Sequence, residues 1–170
     1  MNTAAQVLIR REQPADADAI RDVTDQAFRG AAHTCGREHL LVGALRDAGA
    51  LSLSLVAVSN SRIVGHAALS PVEIPNAAGR WYGLGPISVL PEWQKRGVGS
   101  ALMRAALAWM KGQGAAGCVL VGDPAYYSRF GFVADPSFRV DGIPPEVTLS
   151  IRLHPNTDQG AVQFHPAFAG

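Results

Sequence analysis

Apolar positions recur along the chain with two different periods, and the change of period separates predicted helices from predicted strands. Ile20, Val23, Ala27 and Phe28 fall on one helical stripe, whereas other apolar residues crowd into short β-rich runs. In chain order, the predicted elements are a strand at Val7–Arg10, a helix of about three turns after Asp16, a short helix at Glu38–Ala48, strands at Leu51–Ser59, Ile63–Val72 and Leu84–Leu90, a helix at Val98–Lys111, a strand at Cys118–Val121, one helical turn after Asp123-Pro124, the segment Gly131-Phe132-Val133, and a Pro-rich tail with a last strand near Ala161–His165.

The order of these elements predicts the fold class. Only a Ser-Asn-Ser turn separates Leu51–Ser59 from Ile63–Val72, which predicts an antiparallel hairpin. Pro91 cannot continue a central ladder, and it therefore ends the strand Leu84–Leu90. Strands interspersed with helices predict a mixed sheet flanked by helices, α/β or α+β in class.

Composition and charge exclude several classes of function. The chain has 170 residues, 48% of them apolar, and a formal net charge of +1, which predicts a single domain over residues 1–170. A near-balanced charge provides no basic surface for DNA or RNA, and no apolar run approaches the roughly 18 residues of a membrane span. The N-terminus lacks a secretory pattern, and Cys35 and Cys118 form no CxxC pair. We therefore expect a cytoplasmic protein without a disulfide framework.

The segment Gly85–Leu102 carries the clearest chemical signal, a strand followed by a basic glycine loop and a helix start. A helix N-terminus offers unpaired N–H groups and partial positive charge, Gly97 and Gly99 remove Cβ atoms near that site, and the loop contains Lys95 and Arg96. This pattern predicts a pyrophosphate site. No Walker string is present, and a dinucleotide turn is disfavoured because six residues, Pro91–Arg96, separate the strand from the glycines.

Two motifs resemble the GNAT family of N-acetyltransferases. Gln94–Gly99 matches the family's Q/R-x-x-G-x-G/A signature, and GDPAYYSRFGF at Gly122–Phe132 resembles its second motif, most closely that of predicted bacterial acetyltransferases with a GDPAYY sequence. The resemblance covers about residues 7–168. Asp123-Pro124-Ala125 departs from the Asn-x-x-Ala of many members. The resemblance implies the acyl-CoA N-acyltransferase fold, with a mostly antiparallel mixed sheet.

The same resemblance implies acetyl-CoA as co-substrate, and we expect no metal, because the Cys and His residues lack the spacing of a zinc site. In the family the strand before the loop splays from its neighbour, so that its free backbone groups pair with the pantetheine arm, as a peptide adds to a sheet edge. The residues that this implication assigns to the cofactor are Ile87, Ser88, Val89, Gln94, Lys95, Arg96, Gly97, Val98, Gly99 and Ser100.

Tyr127 matches the family tyrosine that hydrogen-bonds or protonates the thioester sulfur. Because a phenol is a weaker acid than a thiol, we expect hydrogen bonding rather than full proton transfer; the alternative is that Tyr126 and Tyr127 only pack the short helix. No acidic residue lies on the strand Leu84–Leu90, and the candidates for the general base are Glu73, Glu38, Glu12 or a water molecule.

A second cluster of chemically active residues, His33, Cys35, Glu38 and His39, suggests a metal, but no second pair at zinc spacing follows it. Cys118 is expected to be a small core residue. These observations predict an acetyl-CoA-dependent N-acetyltransferase acting on a primary amine of a small molecule or peptide. The alternative is a non-catalytic acyl-CoA-binding or regulatory module on the same fold. The acceptor and the oligomeric state stay open, a homodimer included.

Overall fold

A computed structural model describes residues 6–31 and 34–169. The chain divides into two units, Met1–Ala68 with Pro86–Ala106, and Leu69–Gly85 with Leu107–Gly170. Two of the strands run from one unit into the other. The expectation of one domain over residues 1–170 stays a prediction.

The first unit contains the N-terminal helices and the hairpin. Its elements are β1 (Leu8–Arg11), α1 (Ala17–Phe28), α2 (Glu38–Asp47), β2 (Leu53–Ser59), the first part of β3 (Arg62–Val72), the second part of β4 (Trp81–Val89) and the first part of α3 (Val98–Gly112). β1 pairs antiparallel with β2, and Leu8 lies opposite Val58. Asn60 and Ser61 have φ values of 48° and 64°, the left-handed conformation that a tight hairpin turn requires. The predicted hairpin is therefore confirmed.

The second unit contains the C-terminal strands. Its further elements are β5 (Gly117–Val121), α4 (Pro124–Tyr127), β6 (Val133–Ala134), β7 (Phe138–Arg139), β8 (Thr148–Arg152) and β9 (Gly160–Ala161). β5 is parallel to β4 and antiparallel to β8, and β7 pairs with β9 in a small parallel sheet. Within the described residues, the main sheet has seven strands in the order β1-β2-β3-β4-β5-β8-β6. The prediction of a mixed, mostly antiparallel sheet flanked by helices is confirmed.

The prediction of the C-terminal part was wrong in one respect. It assigned a Pro-rich tail with one last strand near Ala161–His165, whereas β8 is the longest strand there and lies opposite β5 along its whole length. Thr148–Arg152 alternates polar and apolar residues, which is itself typical of a strand, but the prediction gave more weight to the prolines on both sides of the segment. The predicted last strand shortens to Gly160–Ala161 and one isolated bridge between Gln163 and Glu73.

Candidate functional site

Strand β4 separates from β5 after a short stretch of pairing. Trp81 lies opposite Gly117 and Gly83 opposite Val119, and there the ladder ends, while β5 continues to pair with β8 as far as Val121. Gly85 follows with φ 154°, a value that L side chains rarely adopt. Beyond Gly83, the β5-facing edge of β4 therefore has no strand partner among the described residues.

The alternation of an antiparallel ladder shows which residues of β4 face this open edge. The N–H of Leu90 donates to the carbonyl of Val64 on β3, at 2.9 Å. Because successive residues turn their backbone groups to opposite sides, Ser88 faces β3, whereas Ile87 and Val89 face the open edge. The carbonyl of Val89 accepts a hydrogen bond from the Gln94 side chain at 3.1 Å. The open edge thus presents the backbone groups of Ile87 and the N–H of Val89.

The second half of the loop between β4 and α3 presents backbone N–H groups that have no acceptor among the described residues. After a 3₁₀ turn at Pro91–Trp93, Lys95 and Gly97 adopt φ values of 62° and 84°. The carbonyl of Gly97 accepts from the N–H of Ala101 at 3.0 Å, so that Gly97 caps the helix. Within residues 6–31 and 34–169, the N–H groups from Lys95 to Ser100 donate to no protein acceptor. Such a helix start attracts anions.

Side chains around this loop fix its position and add charge. Val98 is 2% exposed, and its Cγ1 lies 3.0 Å from the place where a Cβ of Gly65 would stand. The missing side chain of Gly65 on β3 therefore leaves room for the first turn of α3. The guanidinium of Arg96 lies 5.3 Å from the centroid of the Trp93 ring, with Lys95 exposed beside it. The sequence did not indicate this role of Gly65, because the role depends only on packing against α3.

Tyr127 lies in the second unit, on a turn that the GDPAYY segment builds. The carboxylate of Asp123 accepts from the N–H of Ala125 at 2.9 Å and caps α4, and Pro124 occupies the first turn. A Cβ at Gly122 would overlap Cε2 of the Tyr127 ring, so that only glycine leaves room for the ring there. The ring also makes an edge contact with Phe132, at 6.1 Å between centroids. The motif thus fixes the phenol of Tyr127.

The environment of Tyr127 keeps its hydroxyl protonated. Burial raises the pKa of Tyr127 to about 12, and the nearby Tyr126 and Asp123 add to the rise. Among the described residues, the Tyr127 hydroxyl has no hydrogen-bond partner. At neutral pH the residue is therefore a free hydrogen-bond donor and not a base.

None of the three carboxylates named as base candidates is a fully buried group. Glu12 accepts from Arg46 at 2.6 Å. Burial alone would raise the pKa of Glu38, but hydrogen bonds, first that from the Thr34 hydroxyl at 2.7 Å, outweigh it and lower the pKa. Glu73 is exposed, and its backbone pairs with Gln163. The general base remains unassigned.

A buried histidine escaped the sequence reasoning. His66 on β3 is 0% exposed, and its Nε2 lies 2.7 Å from the Ser54 hydroxyl on β2. Burial lowers the pKa of His66 to about 4; the charge of Glu12 opposes this shift and that of Arg46 adds to it. The ring is therefore neutral at pH 7 and belongs to the buried core of the first unit.

The cysteine and histidine candidates show no metal arrangement in the described part of the chain. Residues 6–31 and 34–169 contain no group of three or more His, Cys, Asp and Glu side chains that would hold an ion, and His33 lies outside the described residues. Cys118 is fully buried, which raises the pKa of its thiol and confirms its place in the core. Within the same residues, none of the helices has the length and hydropathy of a membrane span.

The comparisons with known proteins identify the family. Residues 17–132 match the model of the acetyltransferase (GNAT) family. The chain is 31% identical over 169 residues to the uncharacterized N-acetyltransferase YhbS of Escherichia coli, covering 95% of this chain and 98% of that protein. The finer resemblance to the GDPAYY-type acetyltransferases stays a prediction.

Two solved structures share the fold. A GNAT family acetyltransferase from Brucella melitensis, in complex with acetyl-CoA, has a TM-score of 0.85 and 46% identity, covering 96% of this chain and 99% of that one. YhbS of Escherichia coli, in complex with CoA, has a TM-score of 0.87 and 31% identity, covering 100% of this chain and 96% of that one. The predicted fold is confirmed, and the chain belongs to the GNAT family of acetyltransferases.

Proposed function

We propose that this protein transfers an acetyl group from acetyl-CoA to a primary amine of a small molecule or peptide by direct attack. The observation that carries the proposal is the early end of the β4–β5 ladder, which leaves open the backbone of Ile87 and the N–H of Val89. The relatives from Brucella melitensis and Escherichia coli bind acetyl-CoA and CoA, respectively. A pantetheine arm, with its own amide groups, completes such an open edge as an added strand does.

The loop after β4 supplies the site for the phosphates. The N–H groups from Lys95 to Ser100 and the start of α3 favour a pyrophosphate, and Lys95 and Arg96 add charge. From Leu90 back to Gly85, the chain spans roughly 16 Å at about 3.3 Å per residue, a length comparable with an extended pantetheine arm. An arm that starts at the loop therefore brings its thioester near Gly85. Ser88, whose backbone faces β3, stays a predicted contact.

The reaction joins the amine nitrogen to the thioester carbon. The neutral amine attacks the carbonyl, the C–S bond of the tetrahedral intermediate breaks, and the thiolate leaves with the sulfur's electron pair, while the amine loses its proton to water. We assign to Tyr127 the hydrogen bond that stabilises the departing sulfur. Because its pKa of about 12 exceeds the ordinary thiol value of about 8.5, complete transfer of the phenol proton is unfavourable. Tyr127 thus acts as a donor that keeps its proton.

The cellular setting is part of the proposal. Cys35 and Cys118 are free thiols, which suits a reducing cytoplasm. No metal is required for attack on a thioester.

A thermal scan combined with a thiol-release assay tests the proposal. Acetyl-CoA and CoA should raise the midpoint of unfolding, by the equivalent of about 2.7 kcal/mol at a hundredfold excess over Kd, and NAD should have no comparable effect. Release of CoA thiol should then depend on an added primary amine from a broad panel. Protection by NAD alone would refute the cofactor assignment. Protection by CoA without amine-dependent release would favour the non-catalytic acyl-CoA-binding module.

A further inference from the structure

The C-terminal segment, residues 160–169, lies over β4 at the place where β4 and β5 separate. A Cβ at Gly83 would stand 2.6 Å from Cε1 of Phe164, so that the ring occupies the space of a missing side chain. At Gly85 a Cβ would stand 3.9 Å from Cε1 of Phe168, and apart from the neighbouring residues of the strand no other atom of the described residues lies within 4 Å of it. The two phenylalanine rings lie 5.2 Å apart. The segment thus packs closely on Gly83 and only loosely on Gly85.

The two faces of β4 differ at this point. Tyr82 makes an edge contact with Trp109 of α3, at 5.5 Å between centroids, and therefore lies on the face that α3 covers. Because side chains alternate along a strand, Gly83 and Gly85 belong to the opposite face. If the thioester lies near Gly85, as the proposed function requires, α3 closes one face and the amine must approach over the other, beside Phe168.

Backbone and side-chain hydrogen bonds hold the segment in this position. Gln163 exchanges two backbone hydrogen bonds with Glu73 on the chain just after β3, at 2.9 and 2.8 Å. The N–H of Phe168 donates to the carbonyl of His165, and the N–H of Ala167 donates to Nδ1 of the same histidine at 3.1 Å. The bridge to Glu73 therefore anchors the chain next to Phe164, and the turn at His165 sets the position of Phe168 relative to Phe164.

We infer that Phe164 and Phe168 form one wall of the amine-acceptor site and select acceptors that carry an apolar group next to the primary amine. This inference rests on the proposed function and names its substrate class. An apolar wall binds an apolar neighbour of the amine and disfavours a second charge there. The same wall lowers the pKa of a bound ammonium, because desolvation disfavours the charged form. The amine then becomes neutral without a carboxylate acting as general base. This agrees with the observation that Glu12 and Glu38 are hydrogen-bonded to other residues and that Glu73 is exposed.

A pair of amines of similar length tests the inference in steady-state kinetics. 2-Phenylethylamine should have a KM at least about tenfold below that of 1,4-diaminobutane, the size of effect expected for an apolar contact. Phe168→Ala should raise the KM for 2-phenylethylamine by about tenfold and leave the KM for acetyl-CoA within about twofold, and Phe168→Leu should restore most of the loss. Phe28→Ala, at the end of α1, is the matched control and should change neither KM.

A binding measurement separates this inference from the proposed function. Calorimetric titration of 2-phenylethylamine into CoA-loaded protein needs no turnover, because free CoA has no acetyl group to transfer. Binding that is lost in Phe168→Ala and kept in Phe28→Ala supports the wall, even if no amine is acetylated and the proposed transfer fails. Equal affinity of the wild-type protein for both amines, or an unchanged affinity in Phe168→Ala, would overturn the inference while leaving acetyl transfer intact.

Discussion

The loop Gln94–Ser100 and the turn Gly122–Tyr127 both depend on glycine, but for different physical reasons. At Gly97 a Cβ would meet nothing within 4 Å, and glycine is favoured because φ is 84°. At Gly122 the backbone is ordinary, and glycine is required because a Cβ would overlap the Tyr127 ring. The first glycine permits a conformation, and the second permits a close contact.

The difference corresponds to what each region presents. The loop is mostly exposed, and its N–H groups from Lys95 to Ser100 have no acceptor in the described part of the chain. The turn is packed, with its phenol ring between Gly122 and Phe132, and offers one side-chain hydroxyl. Substitutions in the loop that the local backbone conformation accepts should therefore change ligand affinity at little cost in stability. Substitutions in the turn should change either the chemical step or the packing, according to the atom removed or added.

The largest effect is expected for Gly99→Val in the loop. Gly99 lies in the first turn of α3, where helical φ and ψ angles accept a side chain. Its Cβ and branches would stand where the pyrophosphate approaches the backbone. We expect CoA affinity measured by calorimetry to fall by at least about 10²-fold, with little change in the midpoint of thermal unfolding.

Gly112→Val, at the other end of the same helix, is the matched control. Its Cβ would meet nothing within 4 Å, and its φ is not in the left-handed region. It should keep full CoA affinity at a similar small cost in stability. If Gly99→Val binds CoA as tightly as Gly112→Val, the loop has only a structural role.

Tyr127→Phe should have the next largest effect, and on the chemical step. It removes the hydroxyl but keeps the ring against Gly122 and Phe132, so that the free energy of unfolding should change little. Losing a hydrogen bond that strengthens as the thiolate departs should lower kcat by about 10²-fold, while the KM for acetyl-CoA stays nearly unchanged. Because burial raises the pKa of Tyr127 to about 12, wild-type kcat should show no decline from Tyr127 ionisation below about pH 11.

Tyr126→Phe is the internal control for this variant, since the two rings are neighbours at 4.9 Å, and its effect should be milder. Full kcat in Tyr127→Phe would contradict the assigned donor. A loss confined to Tyr126→Phe would transfer the role to the neighbouring residue.

Local sequence signals predicted the loop and the turn, because their chemistry is local. The spacing of Gly97 and Gly99 after a strand, and the Asp-Pro pair before Tyr126, determine caps and turns within a few residues. The helices α1, α2 and α3 followed in the same way from their apolar stripes.

Features that depend on distant segments escaped prediction from the residues themselves. The end of pairing between β4 and β5 is set by where Gly83 meets Val119, and only the family resemblance implied such a splay. The places of Phe164 over Gly83 and of Gly65 beside Val98 depend on chain segments far apart in sequence. The alternating pattern of β8 is a local strand signal, but its pairing with β5, which buries Thr148 and Ser150, depends on a distant segment.

The smallest effect is expected for Gly122→Ala, which tests the steric half of the comparison. Its new Cβ would meet the Tyr127 ring, which must shift or strain the turn, so that we expect a destabilisation of about 1–3 kcal/mol in denaturant unfolding, as for other overpacked sites. A ring displaced in this way should also lower kcat, though less than removal of the hydroxyl does.

Gly97→Ala is the counterpart in the loop: its new Cβ meets no atom within 4 Å, and its cost of about 1–2 kcal/mol arises from the left-handed φ alone. Tyr127→Ala separates the two causes, because removing the ring should relieve the strain of Gly122→Ala in the double variant and leave that of Gly97→Ala unchanged. Additive losses for Gly122→Ala and Tyr127→Ala would show that the glycine serves the backbone of the turn and not the ring.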